Sequence, residues 1–178
     1  MGNAIKILPH YTYGDYEHWE GQWELIDGIP YAMSPAPVPK HQLIAGNLHG
    51  EFRQQLKTCS ACKVYQPIDY VVTDDTILQP DMLIVCKPIL KKFLDFPPVL
   101  VVEILSPVTA TKDRISKFSI YQSQGIKYYL MVDPDLQEAE VYELTGSEYK
   151  MIAKGKDISY SFTLDMCTAI IDFKEIWK

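Results

Sequence analysis

Two short apolar segments decide the fold: QPDMLIVC at residues 79–86 and VLVVEIL at residues 99–105. Both are rich in branched aliphatic residues and are bounded by prolines, which is typical of buried β-strands. Each segment carries one carboxylate, Asp81 in the first and Glu103 in the second. Because a lone carboxylate on a buried strand is costly to desolvate, each acid needs a paired charge or a bound cation.

The spacing of the two segments predicts a hairpin that is centred near position 92 and that places Asp81 opposite Glu103. Directly opposed side chains have Cβ atoms about 4.5–5.5 Å apart, and two carboxylates that close repel each other unless a proton or a metal ion intervenes. Oxygen ligands of this kind suit Mg²⁺, which commonly takes one or two protein carboxylates. Spacing alone leaves a second interpretation equally open, in which both acids lie at a solvated strand end and pair with nearby lysines.

The composition predicts one globular domain. The chain has 178 residues, of which 47% are apolar, and this suits a single sizeable core rather than disorder. We expect residues 1–178 to form one domain with three parts. Residues 1–40 hold a helix, a hairpin and a proline-rich connector, residues 41–133 form the core, and residues 134–178 form antiparallel strands.

Hydropathy and charge limit the functional classes. No apolar run approaches the roughly 20 residues that cross a bilayer, and the first six residues lack the apolar core of a signal peptide, so we expect a cytoplasmic protein without membrane contact. The net charge is −6, whereas proteins that grip nucleic-acid phosphates tightly are usually basic. A nuclease tolerates this net charge if metal ions and local lysines offset the negative electrostatic potential of the protein. Its binding to nucleic acid is then weak or transient.

Local patterns predict the other elements. Apolar residues recur every four positions from Ile44 to Leu56, which indicates an amphipathic helix, and Asp27-Gly28 is a strong hairpin signal. The predicted helices span residues 12–20, 41–57 and 111–124, and the predicted strands span residues 22–25, 29–33, 63–72, 127–133, 139–144, 148–153, 158–163 and 169–173, with residues 34–40 as an extended proline-rich connector.

The chain after Glu103 is typical of a βαβ unit. Ser106-Pro107 ends the strand, because proline cannot continue a central ladder. A helix over residues 111–124 and a strand over residues 127–133 follow. A right-handed crossover should then make the last strand parallel to the Glu103 strand, and the helix begins at the same end of the sheet as Glu103.

Lys117 lies in the second turn of that helix, close enough to extend its ammonium towards Asp81 and Glu103. Asp113 lies four residues before Lys117 on the same helix face. An ordinary surface ion pair between Asp113 and Lys117 is therefore the alternative interpretation.

Two residues of the N-terminal half are further candidates. Glu24 lies on the first strand of the Asp27-Gly28 hairpin, where a solvated strand residue and a third acid of the site are both open. His41 begins the first long helix directly after a loop. A histidine there is usually a cap or surface residue, and a catalytic role is the less common alternative.

The cysteines do not favour a metal or redox site. Cys59 and Cys62 have zinc-knuckle spacing, but no second such pair follows. Cys86 and Cys167 stand alone on apolar segments and have the pattern of small core residues. A structural zinc or redox site is therefore not the expected use of these four residues.

An ordered set of motifs resembles one known family. The motifs are ELIDG at residues 24–28, MSP at 33–35, His41, QPD at 79–81, VVEILSP at 101–107, KDR at 112–114 followed by Lys117 and Tyr121, and the strand from Tyr128 through Asp133-Pro134. Together they resemble the Uma2 (Uma-two) family of putative restriction endonucleases, within the PD-(D/E)xK nuclease superfamily. The resemblance covers most of the chain, and the order of the motifs is more specific than any single one.

The resemblance implies an α/β (α+β) domain of the restriction-endonuclease-like fold, with a central mixed β-sheet flanked by helices. It also implies metal-dependent hydrolysis of phosphodiester bonds in nucleic acid, with DNA as the expected partner. Asp81 and Glu103 would hold Mg²⁺ or Mn²⁺ with the Ile104 carbonyl, and Lys117 would orient the attacking water or neutralise charge on the phosphate. Additional site candidates are Glu24, His41, Ser106, Asp113 and Tyr121.

The chain departs from the superfamily at one position. The superfamily usually carries its lysine two residues after the second acid, where this chain has Leu105. A family in which the lysine has moved to the following helix fits Lys117.

Three functions remain open at this point. The first is a Mg²⁺-dependent DNA endonuclease that uses Asp81, Glu103 and Lys117. The second is a catalytically inactive nuclease-like fold that serves as a binding or assembly module, and the acidic net charge favours it. The third is a metallohydrolase with another substrate, because fold does not fix function. The form of the substrate and the oligomeric state, including a homodimer, stay open.

Overall fold

The computed structural model describes residues 8–33, 38–107 and 109–178. The strands are β1 (Trp23–Ile26), β2 (Ile29–Ala32), β3 (Lys63–Tyr65), β4 (Tyr70–Thr73), β5 (Thr76–Leu78), β6 (Met82–Val85), β7 (Leu100–Ile104), β8 (Tyr128–Asp133), β9 (Glu138–Thr145), β10 (Glu148–Gly155), β11 (Ser159–Leu164) and β12 (Cys167–Asp172). The helical elements are α1 (Tyr13–Tyr16), α2 (Pro39–Gln55), α3 (Ala110–Lys112), a π-helical turn (Asp113–Lys117), α4 (Phe118–Ser123) and a 3₁₀ helix (Phe173–Trp177).

A mixed six-stranded sheet in the order β10-β9-β8-β7-β6-β3 organises the molecule. Every residue of β7 is buried, and β7 pairs antiparallel with β6 and parallel with β8. Met82 pairs with Val102, so one more step along this register sets Asp81 opposite Glu103. The predicted hairpin, its register and the parallel crossover strand are confirmed.

The central sheet separates two apolar cores. On one face, Val102 of β7 packs in a cluster with Phe52 of α2 and with the β11–β12 hairpin. On the other face, Val101 belongs to a cluster that includes Tyr121 of α4. Because successive strand residues point to opposite faces, Glu103 lies on the same face as Val101, beneath the helical segment of residues 110–123.

A second sheet in the order β2-β1-β5-β4 carries the N-terminal hairpin. Asp27 and Gly28 connect β1 to β2 with φ values of 50° and 75°. Both residues therefore occupy the left-handed region, as a type I′ turn requires, and glycine does so without steric cost. The predicted hairpin is confirmed, and it delivers Glu24 of β1 to the interior.

The single strand predicted over residues 63–72 is wrong. The structure has β3 and β4 there, and they belong to different sheets. Pro67 lies in the break, where its missing N–H could not serve a continuous ladder. The turn at residues 73–76 therefore leads into β5 of the smaller sheet before the chain enters β6.

Three helix boundaries also differ from the prediction. The helix predicted over residues 12–20 is only the four-residue α1, which buries no side chain. Helix α2 begins at Pro39 rather than at residue 41, since proline is tolerated in the first helical turn. The third helix begins at Ala110 and contains a π-helical turn that periodicity did not predict.

The proline-rich connector over residues 34–40 falls partly outside the described residues, because residues 34–37 are not described. The division of the domain at residues 40 and 133 stays a prediction. In the described part of the chain, no helix combines the length and the apolar character that crossing a membrane demands.

Glu140 of β9 links the helical segment to the β9–β10 side of the central sheet. It is 4% exposed and accepts hydrogen bonds from both terminal nitrogens of Arg114 at 2.8 and 3.2 Å, from Lys154 Nζ at 3.1 Å and from the Tyr142 hydroxyl at 2.9 Å. Burial acts to raise the pKa of Glu140, but the hydrogen bonds from Arg114 and Lys154 outweigh it and hold the pKa below its ordinary value.

Glu140→Gln should be about 1–3 kcal/mol less stable than the wild type at neutral pH, because charge-assisted hydrogen bonds are lost. A lowered folded-state pKa gives stability that is present above the unfolded pKa and is lost as pH falls through the folded pKa. Urea unfolding over an acid series should therefore show the two proteins converging in acid. Glu148→Gln, at an exposed position of β10, should match the wild type throughout, and a Glu140→Gln deficit that persists in strong acid would contradict the assignment.

Candidate active site

Glu103 is the residue around which the candidate site assembles. It is 3% exposed, and its Oε1 accepts hydrogen bonds from Lys117 Nζ at 2.8 Å and from the Tyr121 hydroxyl at 2.7 Å. Lys117 and Tyr121 lie four residues apart, so both donors lie on one face of the helical segment. The structure thus brings together three of the residues that the sequence singled out.

Lys117 is the cation at the centre of the site. Besides Glu103, its Nζ lies 2.7 Å from Glu24 Oε1 and 3.4 Å from Asp113 Oδ1. Lys117 is only 2% exposed, and its ammonium lies within ion-pair distance of these three carboxylates. Burial acts to lower the pKa of Lys117, but these carboxylates outweigh it and raise the pKa well above its ordinary value, so the ammonium stays charged.

Glu24 is fully buried, so its interpretation as a solvated strand residue is wrong. Its Oε1 also accepts the backbone N–H of Gln79 at 2.9 Å, and its Oε2 accepts a hydrogen bond from Lys112. Burial acts to raise the pKa of Glu24, but Lys117 and Lys112 outweigh it and hold the pKa below its ordinary value. Glu24 therefore sits in the structure as a carboxylate between two ammonium groups.

The π-helical turn explains how two lysines reach one acid. Lys112 and Lys117 lie five residues apart, and side chains at that separation point to different faces of an α-helix. A π-helical turn bonds residue i to residue i+5, and the turn from Asp113 to Lys117 brings both ammonium groups to Glu24. Such turns are frequent at functional sites.

Asp81 approaches the site from the start of β6. Its Oδ2 accepts the backbone N–H of Ile104 at 2.7 Å and lies 3.3 Å from His41 Nε2. The His41 side chain is 13% exposed, so its interpretation as a surface residue is wrong. Burial acts to lower the pKa of His41. The Asp81 carboxylate and a hydrogen bond with the Ile104 backbone outweigh this effect and raise the pKa above its ordinary value.

The structure separates the roles of Asp113 and Ser106. Asp113 is 1% exposed, so its pairing with Lys117 is internal and the alternative interpretation as a surface ion pair is wrong. Burial raises the pKa of Asp113 above its ordinary value.

The Ser106 hydroxyl lies 3.0 Å from the Thr109 hydroxyl at the start of the helical segment, and none of its described hydrogen bonds goes to the acids.

The cluster carries more negative than positive charge. Among the described residues, the four carboxylates of Glu24, Asp81, Glu103 and Asp113 face the two ammonium groups of Lys112 and Lys117, and His41 and Tyr121 are further titratable neighbours. Burial raises the pKa of Glu103 well above its ordinary value, and the neighbouring carboxylates add to this, while Lys117 opposes it. A proton or a cation is needed to hold these acids together.

Two carboxylate oxygens are available for such a cation. Among the described residues, both side-chain hydrogen bonds to Glu103 reach Oε1, so Oε2 accepts none. Both polar contacts of Asp81 likewise involve Oδ2 and leave Oδ1 without a donor in the described part of the chain. Two free carboxylate oxygens on opposed strand positions fit a hard divalent cation such as Mg²⁺.

Sequence reasoning did not assign a role to Lys112 or Gln79. Lys112 was noted only as part of the KDR motif, because an α-helical pattern places it on another face from Lys117. Its contact with Glu24 depends on the π-helical turn. The Gln79 contact to Glu24 joins the start of the QPD segment to β1 across 55 residues, and no local pattern reveals it.

Three comparisons relate the chain to known proteins. A family model described as Uma2, putative restriction endonuclease, matches residues 12–159. The uncharacterized protein slr1290 of Synechocystis sp. is 31% identical over 144 residues, which cover 76% of this chain and 75% of that protein. The crystal structure of a putative nuclease belonging to DUF820 from Anabaena variabilis superposes with a TM-score of 0.75 at 17% identity, over 93% of this chain and 97% of that one. The last similarity shows that the two chains share a fold.

Lys117→Met should lower the free energy of unfolding by about 3–5 kcal/mol, because it removes the ammonium and leaves buried carboxylates unpaired. Adding Glu103→Gln to this variant should restore part of the loss, since the uncompensated charge is then removed. Lys112→Met should cost less, because Lys112 is more exposed and Glu24 keeps Lys117. Urea unfolding measures all three, and a Lys117→Met variant as stable as the wild type would contradict this account of the cluster.

Proposed function

The chain belongs to the Uma2 family of putative restriction endonucleases, and we propose that it is a Mg²⁺-dependent nuclease that hydrolyses phosphodiester bonds in DNA. The observation that carries the proposal is the arrangement at Glu103. Its Oε1 accepts a hydrogen bond from Lys117 at 2.8 Å, while its Oε2 has no donor among the described residues, and Glu103 lies opposite the register position of Asp81.

Asp81, Glu103 and the Ile104 carbonyl would hold the Mg²⁺ or Mn²⁺ ion. When bound, the ion would lower the pKa of a water molecule and neutralise charge on the substrate phosphate. The donor set supports this assignment, because both acids offer an oxygen that no described group of the protein occupies. The excess of carboxylates in the cluster also favours a divalent cation over a monovalent one.

The residues of the chain hold this centre in place. Lys117 and Tyr121 fix the Oε1 side of Glu103, while the Ile104 N–H and His41 fix the Oδ2 side of Asp81. Lys117 is also a positive charge that is already positioned before substrate arrives. Preorganised charge of this kind stabilises the negative charge that develops on the phosphate during hydrolysis.

A second candidate function rests on the same cluster. The Lys117 ammonium already lies within ion-pair distance of three carboxylates, an arrangement that also suits a purely structural ion cluster. A nuclease-like fold that acts as a binding or assembly module would keep such a cluster without hydrolysis. The net charge of −6 adds weight to this candidate, and cleavage of nucleic acid distinguishes it from the first.

Metal binding is expected to stabilise the wild type. A ligand that binds only the folded state adds about 2.7 kcal/mol at a hundredfold excess over its Kd, so Mg²⁺ or Mn²⁺ should raise the Tm. The double variant Asp81→Asn, Glu103→Gln should lose this rise, while Asp135→Asn, at an exposed acid paired with Lys40, should keep it. An equal metal response in the double variant and the wild type would rule out the shared site.

Lys117→Ala should reduce cleavage by about 10²–10³-fold yet keep the metal-dependent rise in Tm, because an ammonium group cannot bind Mg²⁺. Lys117→Arg should not restore full activity, since a planar guanidinium does not replace a compact ammonium. The assay compares single-stranded, duplex and branched DNA with RNA, at a temperature where circular dichroism shows each variant folded.

Lys91→Ala serves as the control for this assay, because Lys91 forms an exposed ion pair with Asp95. The Lys91→Ala variant should cleave like the wild type. Cleavage at the wild-type rate by Lys117→Ala would refute the role of Lys117. A folded wild type that responds to metal but cleaves none of these substrates would instead support the binding module.

A further inference from the structure

All four cysteines of the chain converge at one place, although they are distant in sequence. Cys59 and Cys62 lie in the connection between α2 and β3, Cys86 follows β6, and Cys167 begins β12. Cys62 is 1% exposed, and the other three are partly buried against the apolar core between α2 and the central sheet. This cluster lies on the opposite face of the sheet from Glu103.

The two cysteine pairs lie next to each other, with three of the four sulfurs in one group. In the structure Cys59 is joined to Cys167 and Cys62 to Cys86 as disulfides. The Sγ atoms of Cys59, Cys62 and Cys167, which belong to both pairs, also lie within 4.8 Å of one another. Sulfurs this close can share one Zn²⁺ at about 2.3 Å each, and Cys86, the partner of Cys62, supplies the fourth thiolate once the chain is reduced.

The backbone at Cys62 and Cys86 suits metal ligation better than a disulfide. Lys63 pairs with Val85 in the β3–β6 ladder, so Cys62 and Cys86 are the next opposed pair. Their Cα atoms are 3.9 Å apart, whereas disulfides usually need about 4.4–6.8 Å. Two cysteines directly opposed across strands can instead offer their sulfurs side by side to a common ion.

A hydrogen bond at Cys59 gives an independent indication. The backbone N–H of Cys62 points at Cys59 Sγ over 3.4 Å, within the C-x-x-C spacing that zinc sites use. A backbone N–H directed at sulfur stabilises the negative charge of a thiolate, in the same way as other amide donors to anions. The loop therefore favours the form of cysteine that binds metal.

We propose that in the reduced chain Cys59, Cys62, Cys86 and Cys167 bind one Zn²⁺ in a closed tetrathiolate site. Zinc binding displaces the thiol protons and leaves no open coordination position, so the ion is structural rather than catalytic. The ligands come from the end of the α2 region, the β3–β6 pair and the β11–β12 hairpin. The ion would fasten that hairpin, a separate two-stranded sheet, to the nuclease core.

The test starts with wild-type protein purified under argon without chelator. Plasma mass spectrometry should find one zinc per chain, and thiol titration in denaturant with EDTA should find four thiols. Titration with an organomercurial, which caps thiolates, should release the zinc without the need for any variant. Protein with four thiols and no zinc, or with no free thiols because both disulfides have formed, would overturn the proposal.

Cobalt substitution and variants locate the ion. Co²⁺-loaded protein should show the intense sulfur-to-cobalt charge-transfer absorption that carboxylate ligands cannot give. Cys62→Ser and Cys167→Ser should lose zinc, whereas Ser60→Ala, an exposed non-ligand in the same loop, should keep it. Asp81→Asn, Glu103→Gln should also keep it, which separates this site from the proposed Mg²⁺ site. Zinc that is lost in the acid variant but retained in the cysteine variants would refute the tetrathiolate.

Discussion

The rest of the structure depends on the buried ion cluster that forms around the ammonium group of Lys117. This ammonium group is almost inaccessible to solvent and is surrounded by Glu24 of β1, Glu103 of β7 and Asp113 of the π-helical turn. These acids come from the smaller sheet, the central sheet and the helical segment, so a single cation joins three layers of the domain. Buried ion clusters of this kind are costly to break because removing one member leaves the others uncompensated.

The same cluster connects architecture to chemistry. Joining the three layers accounts for Glu24, Glu103 and Asp113, yet a fourth carboxylate, that of Asp81, lies beside them. The excess lies towards Asp81, which Lys117 does not reach among the described ion pairs and which is held by His41 and the Ile104 amide instead. The side of the cluster nearest Asp81 is therefore where a divalent cation would balance the charge, and the proposed nuclease function rests on that imbalance.

The sequence predicted the parts of this arrangement that depend on local pattern. Asp27-Gly28 predicted the N-terminal hairpin, the spacing of Asp81 and Glu103 predicted the register of the central hairpin, and the βαβ order placed Lys117 beside Glu103. The burial of Glu24 and the convergence of Lys112 could not be predicted, because they depend on how a separate sheet docks and on a π-helical turn. The convergence of the four cysteines could not be predicted for a similar reason. Cys59 and Cys167 are 108 residues apart, and tertiary folding alone brings them together.

A crystal structure of the wild type soaked in Mn²⁺ tests the central claim most directly. Anomalous scattering at the manganese edge should give a peak bound by Glu103, Asp81 and the Ile104 carbonyl, with Lys117 still bonded to the other oxygen of Glu103. The same experiment on Glu103→Gln should lose the peak. A wild-type crystal with no peak between Asp81 and Glu103 at saturating Mn²⁺, or with the ion bound elsewhere, would contradict the account of this cluster as a metal centre.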